Sequence, residues 1–167
     1  GVIRERSDFT QAYDRLAYML RRTGRLDDAI ATLDDAARRG IADAALLSSL
    51  GVYLQEAGSL KRSASVLETA VKMNPADLEA QSRLGVTYTR MGRAAEAERI
   101  FRQVLAADPS SASTYNNLGS LYLATNRPRE AIDALTRALA FDPNLANAHN
   151  GLGVAYVRQG RLADAVE

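Results

Sequence analysis

The stretch NNLGSLYLATNRPREA, Asn116–Ala131, is answered 34 residues later by NGLGVAYVRQGRLADA, Asn150–Ala165, with the same residue types at the same offsets. Carried backward, the step of 34 picks up Gly24, Gly58 and Gly92 before Gly160, with Asn126 in the skipped slot. Asparagine is the other residue that tolerates a left-handed backbone. Pro75, Pro109 and Pro143 keep the same step. So do a small column (Ala17, Gly51, Gly85, Gly119, Gly153), a second small column (Ala29, Ser63, Ala97, Ala131, Ala165) and a large apolar one (Leu16, Leu50, Leu84, Leu118, Leu152). A fixed period of this size marks a repeat architecture and governs everything else in the reading.

Inside each unit the apolar residues recur at helical spacing: Leu84, Gly85 and Tyr88 in one segment, then Ala97, Phe101, Val104 and Leu105 in the next. The glycine between them predicts a tight turn, and the proline after them stops the second helix. Pro128 falls in the first turn of its helix, where a missing N–H costs nothing. The small columns allow close backbone approach, as where Gly85 is expected to face Ala97, with Leu84, Tyr88 and Phe101 filling the space around that contact. A lone hairpin of 34 residues cannot bury enough surface to offset the entropy of ordering it, so the hairpins must stack into a solenoid.

Units such as LGVTYTRMGRAAEAERIFRQVLAADP and LGSLYLATNRPREAIDALTRALAFDP resemble the tetratricopeptide repeat (TPR), a helical hairpin with a Leu-Gly pair, a Tyr, a turn glycine, two Ala flanking an aromatic or Leu, and a closing Pro. The resemblance implies an all-α, right-handed superhelical α-solenoid of antiparallel hairpins, with repeats at 10–43, 44–77, 78–111 and 112–145 and a truncated one at 146–167. Residues 1–9 are then a lead-in or the end of a preceding repeat, and Asp8 and Gln11 are spaced like a capping box. Departures from the pattern are Ile41 at a proline position, Leu20 and Leu54 at the tyrosine, and Ser63 at an alanine.

Composition narrows the chemistry. With 167 residues, 47% of them hydrophobic, the chain has the make-up of an ordered globular protein. The 21 basic and 20 acidic side chains nearly cancel, so no global field favours nucleic acid or an anionic membrane surface. The longest uncharged stretch, Pro109–Asn126, is rich in Ser, Asn and Thr and cannot span a bilayer. Nineteen of the 21 basic residues are Arg, which points to a GC-rich, bacterial genome. The chain starts at Gly1 and stops at Glu167 inside a patterned segment, as a fragment of a larger protein would, so the compartment stays open, cytoplasmic by default.

No cysteine is present, and the one histidine, His149, shares a column with Tyr13, Leu47, Gln81 and Tyr115, which predicts packing rather than catalysis or metal binding. The GLG of Gly151–Gly153 lies inside a helical pattern with no strand before it, not in a phosphate loop. Asp27, Asp28, Asp34 and Asp35 read as solvated outer-face charge beside Arg25, Arg38 and Arg39. No nucleophile, base and orienting group can be assembled, so the expectation is no catalytic, cofactor or metal site in this segment.

What remains is a surface. The resemblance implies that the first helix of each unit lines a concave groove that takes a peptide or protein segment. Carried over by column, its lining includes Arg15, Tyr18, Arg22, Ser49, Val52, Arg83, Val86, Arg90, Asn116, Asn117, Ser120, Asn147, Asn150 and Val154. Arg21, Ser48, Glu56 and Glu79 belong to the same lining. The lysines and asparagines of chaperone-tail adaptors are absent: Asp14, Tyr18, Ser49 and Glu79 stand in those slots, and Asn117 alone matches. Asn116, Asn117, Asn147 and Asn150 could instead grip a peptide backbone with their amides, while Arg15, Arg21, Arg22, Arg83 and Arg90 would favour an acidic segment at the other end. The leading reading is a non-catalytic scaffold with a protein or peptide partner, no nucleic acid and no membrane insertion. Two alternatives stand beside it: an accessory region of a larger bacterial enzyme, such as a sulfatase-like hydrolase or a glycosyl- or sulfotransferase, and a self-assembly module pairing through Leu152, Ala155 and Tyr156 at the truncated last repeat.

Overall fold

The computed structural model describes the backbone of residues 2–161 and the side chains of residues 9–161. Among the described residues there are nine helices and no strand: α1 (Val2–Arg22), α2 (Leu26–Arg38), α3 (Ala44–Glu56), α4 (Leu60–Met73), α5 (Leu78–Arg90), α6 (Ala94–Ala107), α7 (Ala112–Ala124), α8 (Pro128–Phe141) and α9 (Ala146–Arg158). The starts of α3, α5, α7 and α9 step by 34, as do those of α4, α6 and α8.

The punctuation is chemical. Asp43 and Asp77 cap α3 and α5, each accepting the amide three residues on, Leu46 at 2.8 Å and Ala80 at 2.9 Å. Every first helix ends in the same tight turn: Gly24, Gly58, Gly92 and Gly160 have positive φ and Asn126 takes their place at φ 57. The following N–H then reaches back to the last turn, Arg93 to the Tyr88 carbonyl at 2.9 Å and Arg127 to that of Tyr122 at 2.8 Å. Second helices α4, α6 and α8 stop two residues before Pro75, Pro109 and Pro143. Where Ile41 replaces proline, the first hairpin closes differently: Gly40 adopts φ 68 and the Ile41 N–H, which a proline would lack, bonds the Ala36 carbonyl at 3.1 Å. The capping box expected at Asp8 and Gln11 does not start a helix, because α1 runs through both from Val2.

The chain divides into two compact units, residues 1–87 and 88–167, the division falling inside α5. In the first unit, α1 and α2 pack on each other and on α3, through a cluster that includes Ala17, Ile30, Leu33, Leu46, Leu50, Tyr53 and Leu54. Gly51 lets α4 press onto α3: a Cβ there would lie 2.6 Å from Leu67 Cδ2. Ser63 turns the small-residue approach into a hydrogen bond, its Oγ donating to the Gly51 carbonyl at 2.8 Å. A buried polar layer follows, in which Gln55 Nε2 donates to the Arg83 carbonyl at 2.9 Å and also to Thr87 Oγ1. The Leu16 position corrects the large apolar column. Leu50 is sealed against Ile30 and Leu33 of the hairpin before it, whereas Leu16, with no such hairpin among the described residues, is 53% exposed.

The second unit repeats the design with other chemistry. Gly119 admits Leu135 as Gly51 admits Leu67, the missing Cβ lying 2.6 Å from Leu135 Cδ2. Leu118, Leu121, Tyr122, Ala131, Leu135, Ala138 and Ala155 are buried. Arg127 lies 4.4 Å from the Tyr122 ring, as Arg93 lies 4.1 Å from that of Tyr88 and Arg161 4.8 Å from that of Tyr156. Glu98, on α6 and only 18% exposed, receives Arg127 Nη1 at 2.8 Å, Arg102 Nη2 at 2.6 Å and the Tyr122 hydroxyl at 3.1 Å, tying α6 to α7 and the start of α8. The edge expected to be uncovered at Leu152, Ala155 and Tyr156 is partly closed: Ala155 is fully buried and the other two are half-buried, because α9 packs on both α7 and α8. Residues 162–167, the rest of the expected partial repeat, lie outside the described residues.

Candidate functional site: the faces of the first helices

In the first unit the first helices α1, α3 and the start of α5 enclose an open cavity of about 480 Å³, lined by Arg21, Ala45, Ser48, Ser49, Val52, Tyr53, Asp77, Glu79 and Arg83. No second helix contributes to it. The structure thus brings Ser49, Val52 and Arg83 of the predicted lining together with Arg21, Ser48 and Glu79. Arg15, Tyr18 and Arg22 are exposed on α1, the Arg22 guanidinium 5.9 Å from the Tyr18 ring, and Val86 is half-buried on α5.

Both cationic groups in the cavity are held in place. Arg21 gives its Nε to Glu56 at 2.6 Å and lies 5.4 Å from the Tyr53 ring centre. Arg83 gives one Nη to Glu79, one turn earlier on the same helix. Asp77 spends one carboxylate oxygen on the Ala80 cap. Tyr53 is 6% exposed, and burial pushes its phenol above the ordinary value, with Asp14 adding to the shift and Arg21 opposing it. Among the described residues the hydroxyls of Ser48, Ser49 and Tyr53 have no hydrogen-bond partner.

In the second unit the same columns present amides and apolar groups. Asn116 and Asn117 are half-buried, Ser120 and Asn147 are exposed, and Arg90, just past the division, is exposed on α5. Asn116 Oδ1 is sealed from solvent with no hydrogen-bond donor among the described residues. Asn150 and Val154 line a cavity of about 460 Å³ with His149, Gly153, Val157 and Arg158. Arg158 is tethered, donating through Nη1 to the Leu123 carbonyl.

Two expectations need adjusting. His149 is not packed: its ring is exposed and its Nε2 sits 2.8 Å from the Pro143 carbonyl, as Gln81 Nε2 donates to the Pro75 carbonyl at 2.8 Å. In this column Gln81 and His149 latch onto the preceding loop, whereas Tyr13 donates to Asp35 and Tyr115 stacks on Phe141. Asp34 and Asp35 are more than solvated charge, since Asp34 receives Arg62 across the hairpins at 2.7 Å and Asp35 the Tyr13 hydroxyl at 3.0 Å. Tyr53, Ala45 and Asp77 went unread as cavity residues. The Tyr53 column otherwise holds Met19, Thr87, Leu121 and Ala155, which mark it as a packing position, and only the size of Tyr53 carries it out to the cavity. Among the described residues no group of three or more His, Cys, Asp or Glu is placed to hold a metal ion, and no helix is long and apolar enough to cross a membrane.

Residues 2–91 match a model described as the Psidin N-terminal TPR repeats region, and residues 77–144 and 122–167 match two tetratricopeptide repeat models. The chain belongs to the tetratricopeptide repeat family. No curated protein matches it. Among solved structures this TPR array is similar to the MamA 41-end from Desulfovibrio magneticus RS-1, at 25% identity over 94% of this chain and 89% of that one, with a TM-score of 0.80. A second MamA crystal structure shares the fold at 22% identity and a TM-score of 0.79, over 96% and 87% of the two chains. YrrB, described as a TPR protein with an unusual peptide-binding site, has 25% identity over 85% of this chain and 73% of its own, with a TM-score of 0.75.

Proposed function

We propose that this all-α TPR solenoid is a non-catalytic scaffold that binds an extended segment of another protein along the faces of its first helices. One observation carries the reading: the cavity of about 480 Å³ is built by the first helices and the Asp77 cap alone, is open to solvent, and mixes the apolar Ala45 and Val52 with polar groups. That is how a groove holds a chain, with pockets for side chains and donors and acceptors for the rest. The peptide-binding site in the description of YrrB supports it by analogy. The tethered arginines and the packed helices beneath keep the face ordered before anything binds, which lowers the ordering cost of association.

The test is selection from a random peptide display library on the immobilised chain, repeated with Val52→Arg, which fills the cavity from a half-buried position at the edge of the core. Selected peptides are expected to lose at least tenfold in affinity for the variant while its helix content stays unchanged. Selection of nothing, or of peptides indifferent to Val52→Arg, overturns the reading.

A further inference from the structure

We infer that the cavity between α1, α3 and α5 is a pocket for one oxyanion side chain of the bound segment, seated between Arg21 and Arg83 and capped by the hydroxyls of Ser48, Ser49 and Tyr53. The inference deepens the scaffold reading and rests on it for the source of the side chain.

A count of hydrogen-bonding capacity leads there. A guanidinium has five N–H donors and no acceptor. Arg21 uses its Nε on Glu56 and Arg83 one Nη on Glu79, so each keeps further N–H groups while its partner carboxylate fixes the plane of the fork. The three hydroxyls are unpartnered among the described residues, and that of Tyr53 belongs to a side chain more than nine-tenths buried. Every uncommitted group except the carboxylates can donate, and the arginines can only donate. A carboxylate or a phosphate, which offers acceptors alone, meets these donors most fully; an amide brings one acceptor oxygen where a carboxylate brings two, and an ammonium brings none.

The carboxylates set the limit on charge. With the Glu56 partner of Arg21 counted beside Asp77 and Glu79, three carboxylates stand against the two arginines, so a singly charged carboxylate adds less repulsion than a phosphate dianion. The two arginine pairs are a third or more exposed, which makes their ion pairs weak enough to share a donor with an incoming anion. Glutamate or aspartate is therefore the expected occupant, and phosphoserine the alternative source of the same chemistry.

Two measurements separate this pocket from the scaffold reading. The first titrates the ¹⁵N-labelled chain at fixed ionic strength with N-acetyl-glutamate methylamide and, separately, with its glutamine analogue. The glutamate probe is expected to shift the Ser48 and Ser49 amides and the Arg21 and Arg83 Nε–H signals, at least tenfold more strongly than the glutamine probe. Arg21→Gln with Arg83→Gln should abolish the difference, and Tyr53→Phe, which removes only a hydroxyl, should weaken binding severalfold. Equal response to both probes, or no effect of the double variant, overturns the pocket. The second is the sequence pattern of the display-selected peptides: a fixed acidic position that disappears on the double variant supports the pocket, and selection without one overturns it while leaving the scaffold intact. If nothing is selected the scaffold falls and the titration alone decides the pocket. A phosphoserine version of a selected peptide that binds more tightly than the glutamate version keeps the pocket and reassigns its natural occupant.

Discussion

Residues 55, 63 and 87 in the first unit and residues 123, 131 and 155 in the second occupy the same three places in the repeat, yet one set is Gln, Ser and Thr and the other Leu, Ala and Ala. In the first unit they form a buried hydrogen-bonded layer that reaches the Gly51 and Arg83 carbonyls. In the second, Ala131 and Ala155 are fully buried and Leu123 is half-buried, with no polar side chain among them. The replacement is complete in all three places. A buried polar network is tolerable when every member is satisfied and costly when one is missing, which favours changing the three residues of these two units together. The repeat fixes which positions meet; it leaves open whether they meet through carbon or through hydrogen bonds. The exposed faces differ in the same spirit, charged and hydroxyl-rich in the first unit, amide and valine in the second.

The largest effect is expected where the two units agree. Gly51→Val and Gly119→Val both drive a side chain into a leucine that is fully buried, Leu67 in one unit and Leu135 in the other. Overpacking of this kind costs roughly 3 kcal/mol. Thermal unfolding should show a similar loss for the two variants, and a marked inequality would mean that the helix contact is not the shared element described above.

The next largest effect comes from where they differ. Thr87→Ala alone removes one of the two acceptors of the Gln55 amide in a fully buried place and should cost about 1–3 kcal/mol. Converting all three residues at once, Gln55→Leu, Ser63→Ala and Thr87→Ala, imports the second unit's solution and should cost less than that single change. Denaturant unfolding of the two variants decides it. A triple variant less stable than Thr87→Ala would show that the polar layer is required by the first unit's backbone rather than being one of two interchangeable fillings.

Much of this was legible in the sequence, for a physical reason. Backbone conformation and close approach are demanded by single residue types: Gly24, Gly58 and Asn126 at the left-handed turn, Gly51 and Gly119 under a leucine, Pro128 in a first turn. Such positions announce themselves through the period of 34. Side-chain partnerships across helices do not. Asp34 with Arg62 and Glu98 with Arg127 join residues 28 and 29 apart that share no column, and charge alone does not say which arginine of many will reach. Leu16 was misread for a related reason, since a column predicts burial only if a neighbouring hairpin is there to supply it. In the candidate site, the columns found Ser49, Val52 and Arg83 but missed Tyr53, because its place in the repeat usually holds a smaller side chain that stops short of the cavity.

The smallest effect concerns acid. Among the described residues the carboxylates held below their usual range are Glu96, Glu98 and Glu130, all in the second unit, and for each the leading cause is a hydrogen bond from an arginine, Arg93 for Glu96 and Arg127 for the other two. A carboxyl whose folded pKa is depressed stabilises the fold fully above its unfolded value, about 4.3, and that contribution is lost as the pH falls from there through the folded value. Acid should therefore loosen residues 88–167 before residues 1–87. Hydrogen-exchange protection factors, corrected for the intrinsic pH dependence of exchange, should fall first on α6, α7 and α8 between about pH 5 and pH 3. Glu98→Gln keeps a side chain of the same size but trades charge-assisted bonds for neutral ones, so it should cost roughly 1 kcal/mol at neutral pH. It should also flatten the acid response of the second unit. A first unit that loosens at the same pH, or an unchanged acid response in Glu98→Gln, would place the sensitivity outside the Glu98 cluster and remove this distinction between the two units.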